Sequence, residues 1–166
     1  MTETTVLVTG AWPNKAADLY NISTRTFDLP AGSLTVPRSG HASILLTNGL
    51  VLLAGGASAN GAKTAEVYDP VTQQFRRVGD MLVYSYGHTA TLLPDGRVLL
   101  CGGALATNEL FDAATETFSL APAGLQCPPA GTRLPDGRYF QGSSGPSIYD
   151  PATGISTPTP PLNLFR

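Results

Sequence analysis

The stretch HASILLTNGLVLLAGG at residues 41–56 decides the fold of this chain. Two apolar runs flank an Asn-Gly pair, Asn48 and Gly49, and the second run ends in Gly55 and Gly56. An Asn-Gly pair between apolar runs is a strong signal for a tight β-hairpin, because such residues supply the positive φ angles of the turn. The stretch therefore predicts two antiparallel strands joined by a tight turn.

The same pattern returns twice along the chain. It reads HTATLLPDGRVLLCGG at residues 88–103 and GTRLPDGRYFQG at residues 131–142. The turn glycines Gly49, Gly96 and Gly137 are 47 and 41 residues apart. Recurrence at a period of about 20 to 50 residues indicates a repeat architecture. We therefore expect the chain to be built from similar consecutive units.

Pairs of aromatic residues form a second recurring element, which predicts another hairpin in each unit. The pairs are Tyr20 and Phe27, Tyr68 and Phe75, and Phe111 and Phe118, and the last unit has Tyr149 at the same place. A helix over residues 104–121 is the rival interpretation, because Leu110, Ala114 and Phe118 have helical spacing. Aligned copies carry Pro70, Pro151 and Gly154. These residues break helices, so we expect strands.

Each unit then contains four strands, labelled a to d, and the inner strands are apolar on both faces. The run Val51–Leu53 does not alternate between apolar and polar residues. A sheet with two apolar faces must be covered on both sides, which is satisfied when sheets stack as blades around an axis. We therefore predict an all-β fold, a β-propeller of four-stranded antiparallel blades. Residues 1–166 are expected to form a single propeller segment.

The repeats divide the chain into about four blades. The units lie approximately at residues 1–40, 41–87, 88–131 and 132–166, and the first begins at strand b and lacks strand a. An open blade leaves unpaired backbone groups and an uncovered apolar face. Three remedies stay open: Leu162–Phe165 could close a ring within one chain, two chains could assemble a ring, or the chain is part of a longer propeller.

These units resemble the Kelch repeat, in which a histidine opens strand a, two glycines end strand b and aromatic residues lie on strands c and d. The matching residues are His41, His88, Gly55, Gly56, Gly102, Gly103, Tyr68, Phe75, Phe111 and Phe118. The resemblance implies blades in which these residues have structural roles, and it says little about a ligand. The outer units depart from the pattern, since Gly10 stands alone and Pro129 takes the histidine position.

Charge and hydropathy exclude several classes of function. The net charge is −2 and no basic run is longer than Arg76–Arg77, so nucleic acid is not an expected partner. No apolar stretch reaches the length of a membrane span, and the first residues lack the features of a secretory signal. We therefore expect no membrane partner and a soluble chain, with the cytoplasm as the default location.

Candidate binding residues lie in the b–c and d–a connections, which share one face of an antiparallel blade. Loops of varied length on a rigid scaffold commonly carry recognition. The candidates are Trp12, Asn14, Lys15, Arg38, Asn60, Lys63, Tyr84, Tyr86 and Asn108. The opposite face carries mostly tight turns, which are expected to be too short to shape a site.

Catalytic residues, a metal and a cofactor are not expected. His41 and His88 occupy matching repeat positions, which favours a hydrogen-bonded structural role. The Gly-Gly pairs lack the spacing of a phosphate-binding loop. Cys101 and Cys127 are too few for a disulfide scaffold, although a bridge between them is conceivable. The interpretation is a non-enzymatic Kelch-type module that binds a protein partner, or itself, through the b–c and d–a loop face.

Two alternatives remain open. The segment around Tyr86 and His88 is similar to the galactose-oxidase group of copper radical oxidases, with Cys101 as a speculative third residue. In that family the tyrosine and histidine are adjacent, whereas Gly87 intervenes here. A glycan-binding propeller that stacks sugars on Trp12, Tyr84 and Tyr86 is the other alternative.

Overall fold

The computed structural model describes residues 5–10, 13–57, 63–102, 107–122, 131–134, 136–141, 147–150, 153 and 155–160. The chain divides into two compact structural units, Met1–Ala121 and Pro122–Arg166. Below, the first and second unit mean these two and not the sequence repeats. Within the described ranges every regular element is a strand. None of these residues forms a helix that could cross a membrane.

The first unit contains three antiparallel sheets, each built from consecutive strands. Sheet 1 comprises β1 (Thr5–Thr9), β2 (Ala16–Asn21) and β3 (Thr26–Ser33). Sheet 2 comprises β4 (Ala42–Leu45), β5 (Val51–Ala54), β6 (Ala65–Asp69) and β7 (Gln74–Arg77). Sheet 3 comprises β8 (Thr89–Leu92), β9 (Val98–Cys101), β10 (Glu109–Asp112) and β11 (Thr117–Leu120).

The second unit contains sheet 4, which has the same order of strands. Its strands are β12 (Gly131–Arg133), β13 (Tyr139–Gln141), β14 (Ser147–Asp150) and β15 (Ile155–Pro158). The predicted all-β fold of four-stranded antiparallel blades is thus confirmed, and the described residues of sheet 1 form three strands that correspond to b, c and d. The rival helix over 104–121 is wrong, because β10 and β11 lie in that stretch.

The a–b turns repeat one geometry in three sheets. Leu46 donates its main-chain NH to Leu50 O at 2.8 Å, and Gly49 donates to Leu46 O at 3.1 Å. Gly49, Gly96 and Gly137 have φ of 85°, 85° and 88°. The preceding Asn or Asp is not in this region, so the turn is a type I turn followed by a left-handed glycine. The positive φ therefore belongs to the glycine alone, not to the pair.

The c–d turns repeat a second geometry. Asn21, Asp69 and Asp112 hold the first position, and each side-chain oxygen accepts a hydrogen bond from the main-chain NH two residues later, at 2.8 to 3.0 Å. These three side chains cap their turns. Two aromatic rings face each other across each hairpin, with centroids 5.2 Å apart for Tyr20 and Phe27, 4.7 Å for Tyr68 and Phe75, and 4.9 Å for Phe111 and Phe118.

Sheet 2 is covered on both faces, which explains its uninterrupted apolar strands. Val51 and Leu53 pack in a cluster with residues of sheet 1, and Leu52 and Ala54 pack in a second cluster with residues of sheet 3. All four side chains of β5 are buried. A half-buried strand would alternate, whereas a strand buried on both faces has no solvent side on which a polar residue would be favoured.

Candidate functional site

The predicted binding residues that the structure describes all lie in the first unit, and they differ in exposure. Asn14, Lys15, Lys63, Tyr84 and Tyr86 are exposed, Asn108 is half-buried and Arg38 is buried. Trp12 and Asn60 lie outside the described residues, as does Gly103 of the structural repeat set. Two connections carry the informative side chains: the first connection, residues 34–41 between β3 and β4, and the second connection, residues 78–88 between β7 and β8.

The second connection presents an alternating row of exposed apolar side chains. Leu82, Tyr84 and Tyr86 are 48 %, 44 % and 50 % exposed, whereas Ser85 and His88 are 4 % and 6 % exposed. An extended chain directs successive side chains to opposite sides, so one side faces the interior and the other faces solvent. We call Leu82, Tyr84 and Tyr86 the aromatic strip.

The main chain beneath the aromatic strip is held by hydrogen bonds from its neighbours. The Glu109 carboxylate accepts the NH groups of Leu82 at 2.9 Å and Val83 at 2.7 Å. Ser85 O accepts the NH of Gly56 at 2.9 Å. Bonds at several successive residues restrict the backbone, so the strip is presented in one orientation.

Tyr86 lies directly on the first connection. A Cβ placed on Gly40 would lie 2.5 Å from Cε2 of the Tyr86 ring, and Gly40 has a φ of +61°. The NH of Gly87 also donates to Gly40 O at 2.9 Å. Glycine is needed here both for the close approach and for the backbone angle. One flank of the Tyr86 ring is therefore occupied, and the other is open to solvent.

Arg38 was expected as an exposed binding residue, and the structure places it in the interior instead. Its Nε donates to Glu66 Oε1 at 2.8 Å, and its Nη1 donates to Gly55 O at 2.8 Å and to Thr64 O at 2.9 Å. The side chains of Arg38 and Glu66 are both fully buried. Burial lowers the pKa of Arg38, while the adjacent Glu66 carboxylate opposes that shift. The charge compensates Glu66 and is not presented to a ligand.

Lys15 and Lys63 are exposed, and each donates a hydrogen bond to the main chain of one of the two connections. Lys15 Nζ donates to Thr35 O at 2.7 Å, and Lys63 Nζ donates to Leu82 O at 2.7 Å. Each lysine is three residues before an acidic residue of strand c, so the two occupy equivalent repeat positions. Their shared register was visible in the sequence and indicates a structural contribution.

The two repeat histidines have different surroundings. His41 Nε2 and Thr9 Oγ1 are hydrogen-bonded at 2.9 Å, whereas neither ring nitrogen of His88 has a partner among the described residues. Gly10 and Gly55 follow equivalent strands, so Ala54 occupies the position in sheet 2 that Thr9 occupies in sheet 1. Alanine has no hydroxyl, so it cannot make with His88 the hydrogen bond that Thr9 makes with His41. Burial, with the charges of Arg38 and His88, lowers the pKa of His41 to about 4. Burial also lowers the pKa of His88.

Tyr86, His88 and Cys101 are the residues nominated for a copper site. No group of three or more His, Cys, Asp or Glu side chains could hold an ion among the described residues. Cys101 is 3 % exposed at the end of β9. Cys127 lies outside the described residues, so the predicted possibility of their pairing stays a prediction.

A cleft of about 360 Å³ lies on the side of the turns, where the sequence predicted no shaped site. Its lining residues are Thr47, Asp95, Gly96, Arg97, Asp112, Ala113 and Ala114. Arg97 and Asp95 form an ion pair at 2.6 Å, which lowers the pKa of Asp95. Asp112 caps its own turn. The charged groups of the cleft thus already have partners within the chain, which favours a structural role.

Comparison with known families and structures agrees with this architecture. Residues 37–82 match the family model of the Kelch motif, and this range spans the whole of sheet 2. No curated protein sequence matches the chain. The predicted resemblance to the Kelch repeat is confirmed.

Solved structures with the same fold include two larger chains. One is a fungal alcohol oxidase of the AA5 family in complex with copper, with a TM-score of 0.63, 17 % identity, and coverage of 98 % of this chain and 40 % of that chain. The other is YjhT, with a TM-score of 0.69, 12 % identity, and coverage of 99 % of this chain and 64 % of that chain. This chain thus spans less than two thirds of either structure, and at such identities the likeness concerns the fold alone.

Proposed function

We propose that this chain is a non-enzymatic Kelch-type recognition module that binds a protein partner through the b–c and d–a loop face. The observation that carries the proposal is the aromatic strip of Leu82, Tyr84 and Tyr86, whose side chains are 44 to 50 % exposed. Hydrogen bonds to neighbouring residues hold the main chain beneath them. Kelch repeats are found in modules of this kind, which supports the assignment of class.

Exposed aromatic residues on a rigid frame suit protein recognition for two physical reasons. Aromatic side chains bury a large area for little loss of conformational freedom, and they are enriched among the residues that dominate interface energies. A preformed backbone avoids the entropy cost of ordering a loop on binding. Glu109 and Gly56 supply that order through hydrogen bonds to Leu82, Val83 and Ser85.

A recognition role also agrees with the hydrogen bonds that the carboxylates of the first unit make. Glu66 and Glu109 accept internal hydrogen bonds, and Asp69 and Asp112 cap turns. A general acid or base needs a free face toward a substrate. These four carboxylates are instead engaged in holding the fold, so they are poor candidates for catalysis.

The test compares a variant without the tyrosine rings with a matched surface variant. Protein from the source organism's extract is captured on the wild type, on the double variant Tyr84→Ala/Tyr86→Ala and on Val71→Ala. Val71 is 90 % exposed in the β6–β7 turn, away from the strip, so it controls for loss of exposed apolar area. A partner purified from this capture is then titrated by calorimetry.

We expect the partner's Kd to rise at least about tenfold in the double variant and to stay unchanged in Val71→Ala, since anchors of this type contribute about 1 to 2 kcal/mol each. Equal affinity in all three proteins contradicts the proposal. Binding on a glycan array that the double variant loses would indicate a sugar ligand instead. Stoichiometric copper with a tyrosyl-radical signal would indicate the oxidase.

A further inference from the structure

Sheet 1 has one covered and one uncovered face. Its covered face packs against sheet 2 through Ala17, with Leu7 and Leu19 beside it. On the other face, Val6, Val8 and Phe27 are 44 %, 43 % and 62 % exposed. Three large apolar side chains on one face of a short sheet form a patch of the kind that marks interaction surfaces.

In sheet 2 the equivalent face is closed by the preceding sheet. Gly10 and Gly55 end equivalent strands, so Val6 and Val8 occupy the positions of Val51 and Leu53. Val51 and Leu53 are only 5 % and 0 % exposed, because sheet 1 covers them. We call this side of each sheet the leading face and the opposite side the trailing face. The leading face of sheet 1 is thus built to be covered.

A repeated carboxylate adds an independent observation. Two residues before the strand c aromatic, Glu66 accepts the NH of Thr35 at 2.7 Å and Glu109 accepts the NH of Leu82 at 2.9 Å. Each donor belongs to the connection that leaves the preceding sheet. Asp18 holds the same position in sheet 1, two residues before Tyr20. It is half-buried, and no hydrogen bond joins its carboxylate to any described residue.

Sheet 4 has the complementary property on its trailing face. Phe140 and Ile148 occupy the trailing positions that Leu52 and Val67 hold in sheet 2. Leu52 and Val67 are 1 % and 0 % exposed, whereas Phe140 and Ile148 are only half-buried. Thr157, which pairs with Ile148 on β15, is exposed on the same face. The last sheet therefore has apolar side chains on the face against which a following sheet would pack.

We propose that the leading face of sheet 1 docks on the trailing face of sheet 4 of a second copy of this chain, head to tail. Asp18 then lies within this contact, at the position that Glu66 and Glu109 hold in the two contacts within the chain. A second copy is the occupant that fits, because one chain carries both halves of the contact and uses the same contact twice internally. Interfaces of this type, between two different surfaces, close into rings or extend into filaments.

The experiment measures the solution mass of the 17.3 kDa chain by light scattering over a range of concentrations. The variants are Val8→Asp on the leading face and Thr157→Arg on the trailing face, both at positions where the folded chain leaves room for a new side chain. Val71→Asp is the control for an added charge. Melting curves establish that each variant is folded.

We expect assembly of the wild type and of Val71→Asp to at least twice the chain mass, and monomers for Val8→Asp and for Thr157→Arg. Mixing the two monomeric variants restores one intact contact and gives a heterodimer of one copy of each. Asp18→Asn weakens assembly at least about tenfold in Kd, because a neutral amide is a poorer hydrogen-bond acceptor than a carboxylate.

A wild type that is monomeric at all concentrations overturns the proposal, as does an oligomer whose mass neither variant changes. A mixture that fails to associate overturns the head-to-tail arrangement. Tyr84→Ala/Tyr86→Ala leaves the mass unchanged, so failure of this proposal is distinguishable from failure of the proposed partner site on the aromatic strip.

Discussion

The two connections between consecutive sheets have equivalent positions but different side chains. In the first, the carboxylate of Glu66 faces the buried guanidinium of Arg38 and the NH of Thr35. In the second, Ser85 occupies the arginine position, and Glu109 accepts two main-chain NH groups. The carboxylate and one main-chain NH donor, from Thr35 or Leu82, recur, whereas the arginine does not. The contact between sheets therefore requires a buried carboxylate and tolerates different additional donors.

The outward sides of the two connections differ as well. Pro37 and Ser39 of the first connection correspond to Tyr84 and Tyr86 of the second. The repeat therefore fixes how the backbone is held and leaves the solvent side free to vary. The specificity of the proposed recognition module is expected on that variable side.

The largest difference between the connections is expected when each carboxylate is neutralised. Glu66→Gln leaves the Arg38 charge buried without its counter-ion, and breaking a buried pair in this way costs about 3 to 5 kcal/mol of unfolding free energy. Glu109→Gln removes a charge that faces only NH groups and keeps one carbonyl acceptor, so we expect a loss of about 1 to 2 kcal/mol. Urea unfolding of both variants measures the difference.

Equal losses for the two variants would show that the arginine does not distinguish the connections. The double variant Arg38→Met/Glu66→Gln is the control for that measurement. Because the uncompensated charge is removed, its unfolding free energy should exceed that of Glu66→Gln alone.

A second test sharpens the comparison at Gly56, which touches both connections. Its NH donates to Ser85 O of the second connection, and a Cβ on Gly56 would lie 2.6 Å from Ser39 O of the first. Its φ of +88° is close to the +85° of Gly49, where a Cβ would meet nothing within 4 Å. The two glycines thus differ in the room available for a Cβ atom but have nearly the same φ angle.

We expect Gly49→Ala to cost about 1 to 2 kcal/mol, the penalty of a left-handed angle alone. Gly56→Ala adds a contact with the main chain that neither side can relieve, and we expect a total of about 2 to 5 kcal/mol. Thermal and urea unfolding give both values. A Gly56→Ala protein as stable as Gly49→Ala would mean that the first connection moves aside without cost.

Much of the fold was predictable because its characteristic residues recur at a regular spacing in the sequence. The turn glycines, the paired aromatic residues and the non-alternating strand at Val51 recur at fixed spacing, and each has a local physical cause. The turn angles were predicted less well. A positive φ at the glycine alone follows from the loop length, which the residue pair does not determine.

The candidate site was harder to predict, because exposure in a connection depends on the sheets around it. Arg38 was taken for a surface residue since arginine is mostly exposed, yet Glu66 from the next sheet draws it inward. Leu82 and Glu109 were missed. The recurrence of an acidic residue two positions before three of the four strand c aromatics, at Asp18, Glu66 and Glu109, was a signal that could have found the contact between sheets.

The smallest expected effect concerns the histidines that end the two connections. The pKa of His41 is about 4 in the native state, below the ordinary value of 6.5, and that of His88 is also lowered. The unfolded chain therefore binds protons below pH 6.5 that the native chain does not, so the unfolding free energy falls as the pH drops from 6.5 toward 4. The loss is on the order of 1 to 2 kcal/mol for His41 by pH 5, and His88 contributes in the same direction.

Urea unfolding at pH 7.5 and at pH 5 checks this for the wild type, His41→Gln and His88→Gln. Each variant should lose part of the dependence, because glutamine does not titrate. Asp95 and Glu116 have lowered pKa values through their ion pairs with Arg97 and Arg76, so their native forms stay charged over this interval. If the dependence survives in the double variant His41→Gln/His88→Gln, the burial of the histidines is not its cause.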